Sequence, residues 1–286
     1  MNKRRIFLKT SAMASATVIA FPSCVTQLTN ATDFEVGLQL YTVRDALSAD
    51  LIGTLRKVAE IGYKKIESAG YADAKIYGYS GSEFKKMIGD LGLEHVSAHI
   101  PLEHFRGDFD AVLALAQSSG QQYIVLPWLN DADRSSIDQY KAYAELLNQR
   151  GEEAKREGLT VCYHNHDFEF RMLDGELPID ILLNETDPDL VKMETDLYWI
   201  VKAGYDPIAF FNKNPGRCAL WHVKDMDTSP EQMFTEVGNG TIDFKPIFDN
   251  QEKAGMKYYF IEQDQSEDPM KSIEISYKNL TEKILS

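Results

Sequence analysis

The chain has 286 residues, 44% of them apolar and 26% charged, enough to bury one large core and unlike the composition of a disordered polymer. Lys and Arg total 30 against 44 Asp and Glu, so the formal net charge is -14, which argues against a nucleic-acid partner gripped through its phosphates. One domain is the natural expectation, because closed α/β barrels run to about 250 residues as a single unit.

Residues 1–24 read as a segment apart. Lys3, Arg4 and Arg5 precede Ile6-Phe7-Leu8-Lys9, and a small-residue, weakly apolar run follows from Ser11 to Phe21, the pattern of a twin-arginine export signal. The uncharged stretch from Thr10 to Val25 is shorter, and richer in Ala, Ser and Thr, than the roughly 20 apolar residues of a membrane-spanning helix. A periplasmic or exported protein is therefore expected, with no membrane span. The bland alternative is a basic tail with no targeting role. Phe21-Pro22-Ser23-Cys24 also loosely matches a lipoprotein cleavage box, so a lipid anchor on Cys24 is a second reading. Loss of residues 1–24 removes four basic and no acidic residues and takes the net charge from -14 to -18. Twin-arginine export carries proteins that fold before crossing, often around a cofactor, which suits a metal enzyme.

From residue 25 to 286 one pattern recurs: a helix-like stretch ends at Gly, and a short apolar, β-branched or aromatic run follows. In chain order, strands are expected over Glu35 to Tyr41, Tyr63 to Glu67, Val96 to His99, Tyr123 to Pro127, Thr160 to His164, Val191 to Asp196, Ala219 to Lys224 and Tyr258 to Glu262. Gly62, Gly92, Gly120, Gly158 and Gly255 mark five of the joints. Helical stretches are expected over Ala49 to Ile61, Ser82 to Leu91, Asp108 to Ser119, Ser135 to Glu157, Pro178 to Asn184, Pro207 to Asn212, Phe244 to Lys253 and Met270 to Leu285, the clearest being Asp138 to Glu157. Tyr123-Ile124-Val125-Leu126 is apolar on consecutive positions, as in a parallel sheet covered on both faces. Eight such units give a single (β/α)8 TIM barrel. A doubly wound open sheet is the runner-up, and no Gly-rich phosphate loop follows the first strand to support it. Cys162 and Cys218 fall in different strands and are expected as buried free thiols.

In a barrel of this kind the carboxyl ends of the strands converge on one mouth, where catalysis occurs. Polar residues accumulate there, most heavily from strand five onward: His164-Asn165-His166-Asp167-Phe168-Glu169, then Glu194-Thr195-Asp196, His222-Val223-Lys224-Asp225 and Glu262-Gln263-Asp264. Carboxylates and imidazoles at adjacent strand ends would cost much desolvation energy if left unpaired. A shared divalent cation such as Mn²⁺, Zn²⁺ or Mg²⁺ resolves that cost.

Three runs together give the mature chain a likeness to a known family: Leu38-Gln39-Leu40-Tyr41-Thr42-Val43-Arg44-Asp45, His164-Asn165-His166-Asp167-Phe168-Glu169-Phe170 and His222-Val223-Lys224-Asp225. The chain resembles the xylose-isomerase-like barrels, which include ketose 3-epimerases, inosose dehydratase and endonuclease IV, and most of all the exported branch of the sugar phosphate isomerase/epimerase family. The resemblance implies a metal held by strands five to eight, usually as Glu, Asp, His and Glu. Asp196, His222 and Glu262 match three of these. At strand five His164 stands where the ketose epimerases carry Glu, with Glu169 as the alternative ligand reaching back. Losing that Glu removes one of the two bases of a ketose epimerase, whereas inosose dehydratases carry a His-x-His run at this place. Trp199 replaces the His that the epimerases and the endonuclease carry three residues after the strand-six Asp, which removes a nuclease zinc ligand and offers a wall for a sugar ring.

The expected enzyme is thus a metal-dependent isomerase, epimerase or keto-sugar lyase acting by proton abstraction beside a carbonyl. Metal ligands are His164, Asp196, His222 and Glu262. Glu262 or His166 moves the proton and Lys224 assists, the alternative for Lys224 being a structural ion pair with Asp225. His99, Glu67, Trp199, Glu169 and Arg44 are candidates for binding the sugar, while Tyr41, Trp128, Phe168 and Phe170 read as packing residues. Asn239, between Gly238 and Gly240, reads as a tight turn. An exported enzyme calls for an unphosphorylated sugar or keto-sugar. The competing reading is a sugar-binding barrel that has lost its acid/base pair.

Overall fold

Eight short parallel strands close on themselves in chain order: β1 (Gly37–Gln39), β2 (Lys65–Ser68), β3 (Glu94–His99), β4 (Tyr123–Leu126), β5 (Thr160–His164), β6 (Val191–Asp196), β7 (Leu220–Val223) and β8 (Tyr258–Ile261). The seam joins β1 to β8, with Gly37 beside Phe260 and Leu38 beside Ile261. The structure, a computed structural model, describes residues 35–286. The expected export segment and Cys24 lie outside the described residues. Among the described residues no helix is long and apolar enough to cross a membrane.

Every strand coincides with or overlaps a segment expected from sequence, and the reason is visible in the packing. A covered parallel strand buries both faces, so β4 and β7 are apolar almost throughout. One face meets the surrounding helices in a large core that includes Ile66, Ile124, Val161, Trp221 and Tyr259. The other fills the barrel: Val96, Val125, Cys162, Leu220 and Phe260 form a separate inner cluster, flanked by Tyr123 and Tyr258. Cys162 and Cys218 are buried free thiols.

The glycine joints work as sequence suggests. Gly62, Gly92, Gly120, Gly158 and Gly255 have φ of 126°, 75°, 84°, 75° and 82°, a region costly for any residue with a Cβ. The longest helix, Ile137–Arg156, begins at a capping box between Ser136 and Gln139. One short helix, Arg44–Ala49, is added ahead of the first expected one, and one expected helix is divided. Asp50, in extended conformation, accepts a hydrogen bond from Gly53 N and so starts a new helix, Leu51–Ile61, after Arg44–Ala49. Phe244–Phe248 and Gln251–Ala254 replace one expected helix. Two hairpins, Tyr71–Ala72 with Lys75–Ile76 and Asp225–Met226 with Phe234–Thr235, are too short for a period-two signal to reveal.

Two of the glycines separate conformational cost from crowding. A Cβ at Gly158 meets nothing within 4 Å, whereas at Gly255 it falls 2.7 Å from Gly216 Cα. Gly158→Ala is expected to destabilise by about 1 kcal/mol from backbone conformation alone, and Gly255→Ala by at least about 2 kcal/mol more. Denaturant midpoints check this, and equal losses would contradict it.

Candidate functional site

Along β5, β7 and β8 the side chains pointing into the barrel recur every second residue. The apolar inner residues Cys162, Leu220 and Phe260 are therefore followed by His164, His222 and Glu262, and these by His166, Lys224 and Asp264. On β6 the same step brings Glu194 and Asp196 inward. The barrel thus changes from an apolar plug to a layer of titratable groups within one turn of the pleat.

His222 is the centre of that layer. Its Nδ1 lies 2.6 Å from Glu262 Oε2, and its Nε2 lies 2.7 Å from Glu67 Oε1 and 3.3 Å from Glu194 Oε2. Glu194 Oε2 also contacts His99 Nε2 at 2.7 Å and His164 Nδ1 at 3.2 Å. Glu67 Oε1 accepts from Gln39 Nε2 at 2.6 Å and lies 3.1 Å from His99 Nε2. Asp196 serves two structures at once. Its Oδ1 accepts from Trp199 N and caps the helix Leu197–Lys202, which leaves Oδ2 facing inward, 3.7 Å from His164 Nε2 and 3.9 Å from His222 Nδ1. Asn165 ties the ends of β5 and β6 together, its Oδ1 accepting from Asp196 N at 3.1 Å.

Burial disfavours every charge in this layer, and the partners decide which groups stay charged. Burial alone would lower His99, but Glu67 and Glu194 raise it to about 10. His222 is likewise raised well above the ordinary imidazole value against burial, by Glu194 and Glu262. Burial works against an ionised Glu67, yet His99 and His222 hold it well below the carboxylate range. Glu262 is lowered in the same way by Lys224 and His222. Asp196 is raised, burial outweighing the pull of Lys224. His164 and His166 stay neutral, through burial first and then through the neighbouring positive charge of His222 and Lys224 respectively.

Among the described residues two groups are close enough to hold a metal ion: Asp196, His222 and Glu262, and His99, His164, Glu194 and His222. Asp196 Oδ2, Glu262 Oε2 and His222 Nδ1 are buried without a well-formed hydrogen bond, Lys224 Nζ lying against both oxygens and His222 Nδ1 2.6 Å from Glu262 Oε2, while His164 Nδ1, equally without one, lies 3.2 Å from Glu194 Oε2. Carboxylate oxygens and imidazole nitrogens converging in a dry layer are the donor set of a divalent cation, and the residues fit one. Above them opens a cavity of about 450 Å³, lined by His99, His164, His166, Lys224, Glu262 and Asp264 and by the aromatic rings of Tyr41 and Trp128.

The sequence matches the family described as "Xylose isomerase-like TIM barrel" over residues 55–281. The chain belongs to this family. Two solved sugar phosphate isomerase/epimerases from Parabacteroides distasonis ATCC 8503 are similar to it, at 26% and 28% identity with TM-scores of 0.76 and 0.77, covering 94% and 88% of this chain and all of theirs. An inosose dehydratase from Lacticaseibacillus casei is 27% identical over 251 residues, 81% of this chain and 79% of the relative. Another, from Clostridium beijerinckii, is 31% identical over 219 residues, covering 69% and 68%. The xylose-isomerase-like barrel therefore sits among sugar isomerases, epimerases and dehydratases.

Within this family frame, Asp196, His222 and Glu262 form one group, while His164 falls in the other, with His99, Glu194 and His222, its Nε2 3.7 Å from Asp196 Oδ2; His166 and Lys224 lie beside them at the cavity. The fold does not bring Glu169 there. A 3-10 turn, Phe168–Phe170, carries it behind β5, where Tyr163 Oη and His166 N donate to its two oxygens, so of the two strand-five candidates it is His164 that faces the buried layer. Arg44 also stays outside the cluster, donating to Tyr41 O and lying over the Tyr41 ring. Glu67 is fully buried beneath the imidazoles and orients them from below. Trp199 flanks the site, its ring 5.5 Å from that of His166 and 6.0 Å from Lys224 Nζ. Tyr41 and Trp128, read from sequence as packing residues, are 42% and 43% exposed and face the cavity. Lys224 pairs with Asp196, Glu262 and Asp264, not with Asp225. Asp225 instead accepts from the backbone of Met226, Gly238, Gly240 and Ile242, and so builds the turn around Asn239. Glu194 and Asp264 were the residues to find from the two-residue step, one before Asp196 and one after Glu262.

Glu169 gives a stability test. Burial raises its carboxyl from 4.5 to about 7, against the hydrogen bonds from Tyr163 and His166. The folded state therefore holds this proton more tightly than the unfolded chain, and its contribution is full below about pH 4.5 and lost as pH rises through 7. Glu169→Gln keeps partners for both neighbours without the ionisable group. Relative to wild type, the variant is expected to gain on the order of 3 kcal/mol between pH 5 and pH 8, read from denaturant midpoints. An unchanged difference at the two pH values would contradict the assignment.

Proposed function

We propose that the chain is a divalent-metal-dependent enzyme that removes a proton beside the carbonyl of an unphosphorylated sugar or keto-sugar. The observation that carries this is the meeting, on one cavity, of a cation-binding donor set with a neutral imidazole and a buried ammonium. His164, Asp196, His222 and Glu262 would hold the ion, which when bound supplies polarisation of the carbonyl and neighbouring hydroxyl oxygens. His166, kept neutral at working pH, accepts the proton at its ring nitrogen, or Glu262 does so at a carboxylate oxygen. Lys224 Nζ, kept protonated by three carboxylates, donates to the oxygen that gains charge or leaves. Tyr41, Trp128 and Trp199 supply aromatic faces for the ring of the sugar.

Between epimerisation and elimination, the strand-five His favours elimination or isomerisation, since only one of the two glutamate bases of a ketose epimerase remains. The relatives named inosose dehydratase support the same direction. The twin-arginine pattern of residues 1–24 supports export to the periplasm or beyond, where a sugar would be met without phosphate.

Incubation with keto-sugars, inosose among them, in heavy water tests the reaction directly. Deuterium is expected to enter the carbon beside the carbonyl, to stop on addition of a chelator and to resume with Mn²⁺. Glu262→Gln and His166→Ala are each expected to slow exchange by about 10²-fold or more. Exchange that ignores the chelator, or that survives both substitutions, would overturn the proposal. Sugar binding with no exchange at all would favour the non-catalytic barrel.

A further inference from the structure

Lys224 stands on the oxygens that a divalent ion would need. Its Nζ lies 2.8 Å from Asp196 Oδ2 and 2.7 Å from Glu262 Oε2, and Glu262 Oε2 is also the oxygen facing His222 Nδ1. Two positive charges compete for that pair of oxygens, and their mutual repulsion grows as the dielectric falls below that of water. A cation that takes them therefore favours withdrawal of the ammonium. The same Nζ also reaches both oxygens of a third carboxylate, Asp264, at 3.1 and 3.2 Å. Asp264 is one inward step beyond Glu262 and lies nearer solvent, its side chain 23% exposed against 4% for Glu262 and 0% for Asp196. Asp264 lines the cavity and, among the described residues, makes no other ion pair. The lysine stem is long and flexible enough to pivot about that contact. The rings of Trp199 and Phe234, 6.0 and 5.9 Å from Nζ, flank its path with faces that attract a cation.

We propose that Asp264 is a positioning residue that keeps Lys224 when a divalent cation takes Asp196 and Glu262, so that metal loading moves the ammonium from the ligand oxygens to the substrate cavity. This rests on the metal-dependent reading above. Without metal, Lys224 bridges all three carboxylates. With metal, it retains Asp264 alone and points into the cavity as a proton donor. Asp264 therefore favours metal binding through Lys224 and not by touching the ion.

Titration calorimetry with Mn²⁺ on the chelator-treated full chain tests this in four forms: wild type, Lys224→Met, Asp264→Asn and the double variant. Lys224→Met is expected to bind Mn²⁺ more tightly than wild type. Asp264→Asn is expected to weaken binding about tenfold or more, and that loss is expected to shrink to less than about threefold once Lys224 is Met. A loss of equal size in both backgrounds would mean that Asp264 acts on the ion itself, and no loss in either would mean that it does not hold the lysine; both overturn the inference while leaving metal dependence intact. Failure of every form to bind Mn²⁺, Co²⁺ or Zn²⁺ would overturn the metal-dependent reading together with this one. Thermal melting checks folding, and where Lys224→Met does not fold, Lys224→Gln removes the same charge and carries the same expectation.

Discussion

The constraint on which this structure depends is the desolvation of charge inside a closed barrel. Glu67, Glu194, Asp196 and Glu262 are all nearly or fully buried on the inner face, where an isolated carboxylate is costly. They persist there because His99, His222 and Lys224 lie within ion-pair distance and are themselves held protonated by them. Removing one member leaves another buried and uncompensated, so the layer behaves as a unit. The layer sets five carboxylates, with Asp264, against one ammonium and two protonated imidazoles, and burial pushes Glu194, Asp196 and Asp264 toward the protonated form; a divalent cation is a complement that would keep them ionised.

The geometry of that layer follows from the fold beneath it. Parallel strands of a closed barrel end together, and their period of two sends the same residue set inward at each level. The apolar plug of Val96, Val125, Cys162, Leu220 and Phe260 closes the barrel below, so the polar layer is dry on one side and open to a cavity on the other. A cation bound there would face substrate only from above. Short-range structure reinforces the placement: the helix after β6 takes one oxygen of Asp196, and Asn165 straps β5 to β6, so the remaining oxygen is aimed without strain.

Much of this was legible in sequence because parallel strands and glycine helix stops are local signals. All eight strands and five left-handed glycines lie where the pattern puts them, and the strand-end residues Asp196, His222 and Glu262 meet as one group. What was not legible depends on which way a side chain turns after the strand ends. Glu169 looks like a strand-five carboxylate, but a single 3-10 turn carries it behind the barrel to Tyr163. Lys224 has Asp225 beside it in sequence, yet adjacent strand residues face opposite ways, and Lys224 meets Asp196 and Glu262 instead. Glu194 was readable from its two-residue spacing to Asp196. Its contact with His99, 95 positions away, needs the barrel to be closed.

On the proposed reading the inner layer is built around one divalent cation. Anomalous diffraction from crystals of the purified protein, with elemental analysis of the same preparation, tests it most directly. One ion per chain is expected, coordinated by Asp196, His222 and Glu262 with His164 completing the set, and Lys224 withdrawn toward Asp264. A metal-free crystal grown in the presence of Mn²⁺, with Lys224 Nζ still on Asp196 and Glu262, would contradict it.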